Sequence, residues 1–265
     1  MILRFIRNHH RIKIALLNIT NWYAQTIGQL PFRWPAVPFE VYQFWKSFYL
    51  YKKMNGNNQE NFRIYPILFQ HKKISFDYHY TYQSAWAARR LLSVKPEKHL
   101  DIASDLRFVT QISAFLPVIY LEYRAPGIAL TNLTTIEGTI HSLPFSDQSI
   151  YSLSCLHVIE HIGLGRYGDP VNPSGHIFAL KELGRILAPG GLLLISVPVG
   201  KATTLFNAHR IFDPVKFPAL LPGLILEEFS IVTTSGKFIE KTSPEHFTQE
   251  EYACGLYLLR RPIRL

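Results

Sequence analysis

Apolar residues follow a helical period in some stretches of the chain and form short continuous runs in others, and the two patterns alternate from about residue 80 onward. The helical period predicts amphipathic helices, and short apolar runs between turn signals predict buried strands. Strands that alternate with helices are typical of an α/β domain with a mostly parallel sheet. The predicted elements are helices at 82–93 and 104–115 and strands at 98–103, 117–123, 134–140 and 149–156.

The next helix and strand have clear boundary signals. Ser174 is a candidate N-cap, and Pro189-Gly190-Gly191 ends the helix predicted at 174–188. The strand predicted at 191–198 is apolar throughout, as expected for a strand covered on both faces. The TSGK turn between the last two strands favours an antiparallel ending over another crossover. Those last strands are predicted at 223–234 and 251–261.

The first part of the chain has no clean period and is interrupted by prolines. Short helices are predicted near 10–28 and 38–53, and the apolar face of the second is expected to dock on the core. We therefore expect a basic, aromatic-rich extension at 1–79 and one α/β domain at 80–265. The 265 residues, 48% of them hydrophobic, can supply one sizeable core.

The net charge of +9 is concentrated in this extension and the residues just after it. Residues 1–100 hold 15 basic and four acidic side chains, whereas 101–265 hold 13 and 15. Such a block could meet anionic lipid, nucleic acid or an anionic sugar phosphate, or it could be a solvated surface. Peripheral membrane contact through residues 1–20 is one hypothesis, because basic and apolar residues alternate there, and docking on the protein's own core is the other. Nucleic acid has less support, because no recognised binding module is present.

Cysteine content and hydropathy limit the cellular locations that we expect for the protein. Cys155 and Cys254 are the two cysteines of the chain, which argues against a disulfide framework and against a zinc site built from cysteines. No window of 18 apolar residues is present, and the basic, apolar N-terminus lacks a signal-peptide cleavage pattern. A cytoplasmic protein is expected, with the inner membrane face as its place if the extension binds lipid.

The segment from His157 to Asp169 follows a buried strand and is rich in Gly and charged residues. In an open α/β sheet, ligands bind beyond the carboxyl ends of the strands, so chemistry is expected here. His157, Glu160 and His161 spell HxxEH, which on a helix could bind zinc with the glutamate as base. The glycines from 163 onward leave barely one helical turn and no third ligand is evident, so no metal is expected.

Several motifs carry a resemblance to known proteins. The runs LDIA, LEYR, LPFSDQSIYSLSCLHVIEHI and ELGRILAPGGLLLISVP resemble class I S-adenosylmethionine-dependent methyltransferases over residues 80–260. More closely, HVIEHIGLGRYGDPVNPSG, VPVGK and NAHRIFDP resemble a methyltransferase-like family of unknown function. The resemblance implies a three-layer, Rossmann-like α/β methyltransferase fold with a mostly parallel sheet, an antiparallel C-terminal strand and an N-terminal helical extension.

The resemblance also implies S-adenosylmethionine as cofactor. Its glycine-rich loop would correspond to the residues after Asp101, where Ala103 and Asp105 stand in positions usually taken by glycine. Glu122, at the end of the second strand, matches the acidic residue that binds both ribose hydroxyls. The implied cofactor contacts are Asp101, Ala103, Ser104, Asp105, Glu122, Thr139, Ile140, Leu156 and His157.

Methyl transfer from a sulfonium requires the acceptor to be aligned with the donor, and a hydroxyl acceptor gains from a nearby base. His161 is the candidate base, and Glu160 would orient its imidazole. Arg166 and Asp169 are expected to bind the acceptor, or else to pair with each other. The candidate rim contacts are His209 and Arg210. The leading hypothesis is O-methylation of a small molecule, sugar or glycan intermediate; the alternatives are an inactive binding module and, with less support, a zinc hydrolase.

Overall fold

The computed structural model describes residues 37–55 and 76–263, and it divides the chain into two compact units, Met1–Ser75 and Phe76–Leu265. In the first unit, the described residues form helix α1, Val37–Asn55, which confirms the helix predicted at 38–53. The predicted helix at 10–28 and the residues proposed to touch a membrane lie outside the described ranges. Within those ranges, no helix combines the length and the apolar character needed to cross a bilayer.

The second unit is built on one eight-stranded sheet with the order β3-β2-β1-β4-β5-β10-β8-β9. Its first half consists of β1 (His99–Ile102), β2 (Val118–Glu122), β3 (Leu133–Glu137), β4 (Ile150–Leu156) and β5 (Leu187–Val199). Its second half consists of β8 (Ile225–Val232), β9 (Phe238–Ile239) and β10 (Ala253–Arg260), and β6 (Thr203–Leu205) and β7 (His209–Ile211) form a separate hairpin. The helices are α2 (Tyr78–Val94), α3 (Leu106–Ile112) and α4 (Gly175–Ile186).

Strands β1 to β5 are parallel, and β10 runs antiparallel to both β5 and β8. The predicted mostly parallel sheet with an antiparallel C-terminal strand is therefore confirmed. Strand β5 begins at Leu187, four residues before the predicted start, and α4 ends at Ile186. The reason is that the backbone of Gly190 and Gly191 exchanges hydrogen bonds with Arg261, so these two residues form part of strand β5.

Two apolar clusters lie on opposite faces of the sheet and make the domain three-layered. One cluster joins α2 and α3 to the sheet through side chains such as Trp86 and Phe108. The other joins α4 through Leu180 and Leu183. Consecutive residues of a strand point to opposite faces, which explains why every residue of β1 is buried. Both faces of the central strands are therefore dry, and their carboxyl ends are left to form a site.

Helix α2 is tied to β8 by a half-buried charge. Glu228 Oε1 accepts hydrogen bonds from Trp86 Nε1 at 2.9 Å and from Arg90 Nη2 at 2.6 Å. The Arg90 and Glu228 side chains are only 15% and 10% exposed. Removing the carboxylate would leave a desolvated guanidinium and an indole N–H without their acceptor. The neighbouring Glu227 pairs with Arg260 on the more exposed face of the same strand.

We expect Glu228→Ala to lower the free energy of unfolding by about 2–4 kcal/mol, the range for breaking a buried pair. The matched control is Glu227→Ala, which removes a surface pair and should cost less than about 1 kcal/mol. Urea denaturation of both variants measures the difference. Equal losses of unfolding free energy in the two variants would mean that the contacts of Trp86 and Arg90 with Glu228 do not anchor α2.

Candidate functional site

A cavity of about 340 Å³ opens at the carboxyl ends of β1, β2 and β4. This is the point where the strand order reverses between β1 and β4, and open α/β sheets bind ligands at such a point. Its volume lies within the usual range for small-molecule sites, about 300–1,000 Å³. The cavity brings together these sequence-predicted residues: Ala103, Ser104, Asp105, Glu122, Thr139, Ile140, Leu156, His157, His161 and Asp169.

Asp101 is fully buried beneath the cavity instead of lining it. Its carboxylate accepts hydrogen bonds from Ser104 N at 3.0 Å, from Ser104 Oγ at 2.7 Å and from Ser154 Oγ. Burial raises the pKa of Asp101 to about 6, and the hydrogen bonds from the two serines partly oppose that rise. Asp101 therefore shapes the turn after β1 and is placed to act on a ligand only through that turn.

Ala103 shows why this turn usually contains glycine. Its φ of 54° lies in the left-handed region, which costs a residue with a Cβ about 1–2 kcal/mol. The conformation lets the Ala103 N–H bond to Leu121 O at 2.9 Å and turns the following residues along the cavity. The chain thus forms a left-handed turn here with alanine in a position usually taken by glycine.

Two carboxylates frame the same wall of the cavity. Asp105 caps α3 by accepting from Arg107 N at 2.8 Å, and its carboxylate also pairs with the Arg107 guanidinium, which lowers the pKa of Asp105. Glu122 ends β2, where Oε1 accepts from Tyr123 N at 2.7 Å and Oε2 lies 3.1 Å from the Tyr120 hydroxyl, whose one hydrogen is shared with Ser104 O at 3.0 Å. The charge of Asp105 is thus paired with Arg107. The Glu122 carboxylate is oriented by its contacts with Tyr120 and Tyr123, and Glu122 lines the cavity.

The opposite wall is less polar. Ile140 is 8% exposed and supplies an apolar surface, and Thr139 Oγ1 accepts a hydrogen bond from His141 N at 3.3 Å. Leu156, at the end of β4, is buried at the base. An apolar slot beside an oriented carboxylate suits a flat aromatic group attached to a diol.

His157 is the most constrained residue at the site. Its φ is 56°, its side chain is 3% exposed, and its Nδ1 lies 2.5 Å from Glu160 Oε1. Burial lowers the pKa of the imidazole, but the Cys254 sulfur and the Glu160 carboxylate outweigh it, so the pKa lies well above the ordinary value. Among the described residues, His157 Nε2 has no hydrogen-bond partner. The ring stacks against His79 and Tyr80 with centroid distances of 5.3 and 5.4 Å.

His161 faces the cavity in a form suited to accept a proton. Its Nδ1 lies 2.7 Å from Ala208 O, and a carbonyl only accepts, so Nδ1 carries the hydrogen and the neutral ring keeps its lone pair on Nε2. Nε2 lies 3.8 Å from Glu160 Oε1. Glu160 is 1% exposed and is shared with His157, which holds it more closely. The predicted orienting role of Glu160 thus falls mainly on His157, and Ala208 orients His161.

The loop that follows does not pair its two charged residues with each other. Asp169 Oδ2 accepts from Gly163 N at 2.7 Å, and Arg166 Nη1 donates to Ala208 O at 2.9 Å. Asp169 lines the cavity, whereas the Arg166 guanidinium lies outside its lining. Gly163 is required here because a Cβ would lie 2.0 Å from Asn172 O. The loop is thus held by backbone contacts, and Asp169 is the charged group that it presents to a ligand.

The predicted rim pair lies elsewhere. Arg210 is 6% exposed, and its guanidinium donates to Ile162 O at 2.7 Å, with longer contacts to two other carbonyls of the 160–173 segment. It lines a second cavity on the far side of that segment. The ring of its neighbour His209 packs at a tilt against Tyr252, with ring centroids 4.8 Å apart. Arg210 therefore stabilises the 160–173 segment, because its guanidinium donates hydrogen bonds to backbone carbonyls of that segment.

Sequence reasoning missed aromatic and polar residues that complete the cavity. Tyr80, in the first turn of α2, and Tyr167, in the glycine-rich loop, both face it, and His141 lies beside Thr139. Tyr167 packs edge-on against His161 at 5.6 Å. No motif marks Tyr80, because its place depends on how α2 crosses the sheet; Tyr167 lies inside the predicted loop and could have been included.

Comparisons with known proteins agree with this architecture. A family model described as "Caenorhabditis protein of unknown function, DUF268" matches residues 134–253. No curated protein matches the chain. A structure from Galdieria sulphuraria, described as a sarcosine dimethylglycine methyltransferase, is 14% identical with a TM-score of 0.50, over 70% of this chain and 87% of its own.

Two further similar structures were solved with S-adenosylhomocysteine. N-methyltransferase NodS from Bradyrhizobium japonicum WM9 is 14% identical, with a TM-score of 0.48 over 69% of this chain and 87% of its own. The Burkholderia thailandensis 1,6-didemethyltoxoflavin-N1-methyltransferase is 13% identical, with a TM-score of 0.48 over 68% and 78%. At such identities the likeness shows the fold alone, an α/β fold that this chain shares with the Galdieria sulphuraria structure.

The left-handed turn at Ala103 gives a test of the local geometry. Ala103→Gly should change the free energy of unfolding by less than about 1 kcal/mol, because relief of strain and loss of chain entropy oppose each other. Ala103→Val should lower it by about 1–3 kcal/mol, because a β-branched residue tolerates this conformation worst. Chemical denaturation measures both variants. A valine variant as stable as the glycine variant would contradict the left-handed turn.

Proposed function

We propose that the chain is an S-adenosylmethionine-dependent methyltransferase. The observation that carries the proposal is the oriented Glu122 carboxylate, which faces a cavity at the strand-order reversal of a methyltransferase fold. A carboxylate accepts hydrogen bonds only, so it suits the two vicinal hydroxyls of a ribose. The left-handed turn at Ala103 supports the proposal, because it brings backbone to the cavity with only a methyl group in the way.

The described residues fit the three parts of this cofactor. Glu122 would hold the ribose, and Ile140 with Leu121 would cover the adenine. The turn from Ala103 to Asp105 would face the amino acid part, where the Arg107 partner of Asp105 limits repulsion of a carboxylate. When bound, the cofactor supplies a sulfonium methyl group for transfer. The protein's own contribution is to align the acceptor and exclude water.

His161 is the base in this proposal. His161 lines the cavity, and because its Nδ1 is bonded to Ala208 O its lone pair is on Nε2, which would take the proton of a hydroxyl as that oxygen attacks the methyl carbon. Tyr167 covers one edge of the ring, and Asp169 offers an acceptor to a second hydroxyl. The HxxEH zinc hydrolase loses support, because residues 157–161 form turns and not the helix that would place both imidazoles on one ion.

The acceptor in this proposal is a hydroxyl of a sugar or glycan intermediate. Support comes from the polar loop around Asp169 and from the surplus of basic residues in the first 100 positions, which would attract an anionic substrate. A cytoplasmic location, at the membrane face where residues 1–20 would bind lipid, belongs to the same proposal. An inactive binding module remains the alternative, and it would bind the nucleotide without turnover.

The ribose assignment predicts a specific loss in Glu122→Ala. Titration calorimetry with S-adenosylhomocysteine should show saturable binding, weakened by about 1–3 kcal/mol in this variant, which is the contribution of hydrogen bonds to a charged acceptor. Glu137→Ala is the matched control, because Glu137 ends β3 directly beside Glu122 in register but is exposed outside the cavity. Equal affinities of the two variants would refute the assignment, and no binding to the unaltered chain would refute the proposed cofactor.

The base assignment predicts an imidazole that is neutral at physiological pH. Burial is the largest cause and lowers the pKa of His161, and the nearby charges of Arg166 and His157 lower it further. Glu160 and the Ala208 carbonyl oppose this, but the net direction is below the ordinary 6.5. The base form should therefore be complete at neutral pH and be lost as pH falls through the folded-state pKa.

NMR titration of the histidine side chains measures this directly, and His161→Gln identifies the resonance by its disappearance. A midpoint below 6.5 is expected. His161→Gln should retain the affinity for S-adenosylhomocysteine, because the residue faces the acceptor side. A midpoint above neutrality, or loss of nucleotide binding in this variant, would remove His161 from the role of base.

A further inference from the structure

We propose that His79, His157 and Cys254 bind a divalent metal ion of the zinc type at the wall of the cavity. One donor atom from each of the three residues lies within 4.8 Å of the other two. The residues come from the first turn of α2, the end of β4 and the start of β10. The fold thus gathers them from positions far apart in the chain, and no spacing motif reveals them.

The donor set matches the preferences of zinc. Thiolate sulfur and imidazole nitrogen are its usual ligands, and three protein ligands leave one position of a tetrahedron for water or another small ligand. His157 and Cys254 are buried, and His79 is half-buried. Cys254 lies on the α2 side of the sheet, whereas Cys155 belongs to the cluster on the opposite face. The two cysteines can therefore be distinguished by experiment.

The orientation of His157 points to a cation independently of the cluster. Its Nδ1 bonds to the buried Glu160 carboxylate at 2.5 Å, which fixes the ring and leaves Nε2 in a dry environment without a hydrogen-bond partner among the described residues. A buried ring nitrogen without a partner is costly. Histidines that bind metals commonly donate their other N–H to a carboxylate in this way. An ion on Nε2 would take the place of the proton that the neighbouring Cys254 sulfur and Glu160 carboxylate favour there, and Glu160 becomes a positioning residue for it.

His79 is held where it can act as a ligand. Its ring stacks on His157 with centroids 5.3 Å apart and packs at a tilt against Tyr252 with centroids 4.9 Å apart. A purely structural cluster of two histidine rings and a buried thiol would also explain the ring packing. It would leave His157 Nε2 without a hydrogen-bond partner among the described residues.

An ion at this place would join three elements of the crevice wall. It would fix the start of α2, where the next residue, Tyr80, lines the cavity, to the carboxyl end of β4. Because the unfolded chain does not hold such a site, the free energy of metal binding would add to the stability of the fold. The proposed site also differs from the zinc site of the HxxEH hypothesis, because His161 is not one of its ligands.

Cobalt(II) is the probe for this site. The full chain, stripped of metal with a chelator, should bind one equivalent of Co²⁺ and develop the near-ultraviolet sulfur-to-cobalt absorption of a thiolate ligand, and Zn²⁺ should displace it. Cys254→Ala should abolish that absorption, and Cys155→Ala, the matched control, should retain it. Glu160→Gln should weaken binding by about 10–100-fold, the usual effect of removing a carboxylate that supports a metal-bound histidine.

His79→Phe covers the case in which Cys254→Ala does not fold. Phenylalanine keeps the ring packing but removes the metal-ligating nitrogen of His79, so the affinity for Co²⁺ should fall at least about tenfold. The control His209→Phe should leave the affinity for Co²⁺ unchanged. A cobalt spectrum without the thiolate band would overturn the proposal. So would a band lost equally in Cys155→Ala and Cys254→Ala, or an affinity indifferent to His79→Phe.

Discussion

The buried carboxylate of Asp101 is the interaction on which the crevice depends. It ties the turn after β1 to β4, because it accepts hydrogen bonds from Ser104 and from Ser154. The network continues inside the sheet, where Ser154 Oγ also lies 2.8 Å from His99 Nε2 and His99 Nδ1 lies 2.8 Å from Ser152 Oγ. Burial lowers the pKa of His99 to about 3, so this ring is neutral and can donate on one side and accept on the other. A satisfied polar network of this kind specifies one register between the two strands.

The network has its consequence at the surface of the crevice, where two adjacent strands end in left-handed residues. Ala103 follows β1 and His157 follows β4, and both have φ near 55°. Such strain persists only when the surroundings over-determine it, and it concentrates at functional sites. At Ala103 the result is a turn of backbone along the wall of the cavity. At His157 it is an imidazole turned inward toward Glu160, His79 and Cys254, which is the geometry that the proposed metal site uses.

The fold was largely predictable from the sequence, because long apolar runs and 3.6-residue periods report burial directly. The candidate site was only partly predictable. Glu122 and Ala103 lie at the carboxyl ends of predicted strands, so their place at the crevice follows from topology alone. The use of Arg210 as a clamp on backbone carbonyls could not be read from its position, since it depends on the path of the 160–173 segment. The approach of His79 and Cys254 to His157 depends on tertiary packing between elements that share no local pattern.

We expect the crevice between β1 and β4 to bind S-adenosylmethionine. A crystal structure of the chain with S-adenosylhomocysteine should show the two ribose hydroxyls within hydrogen-bond distance of the Glu122 carboxylate and the adenine against Ile140. The homocysteine sulfur should point toward the side of the cavity where His161 lies. A nucleotide bound elsewhere on the chain, or in this cavity with its ribose turned away from Glu122, would contradict this binding mode.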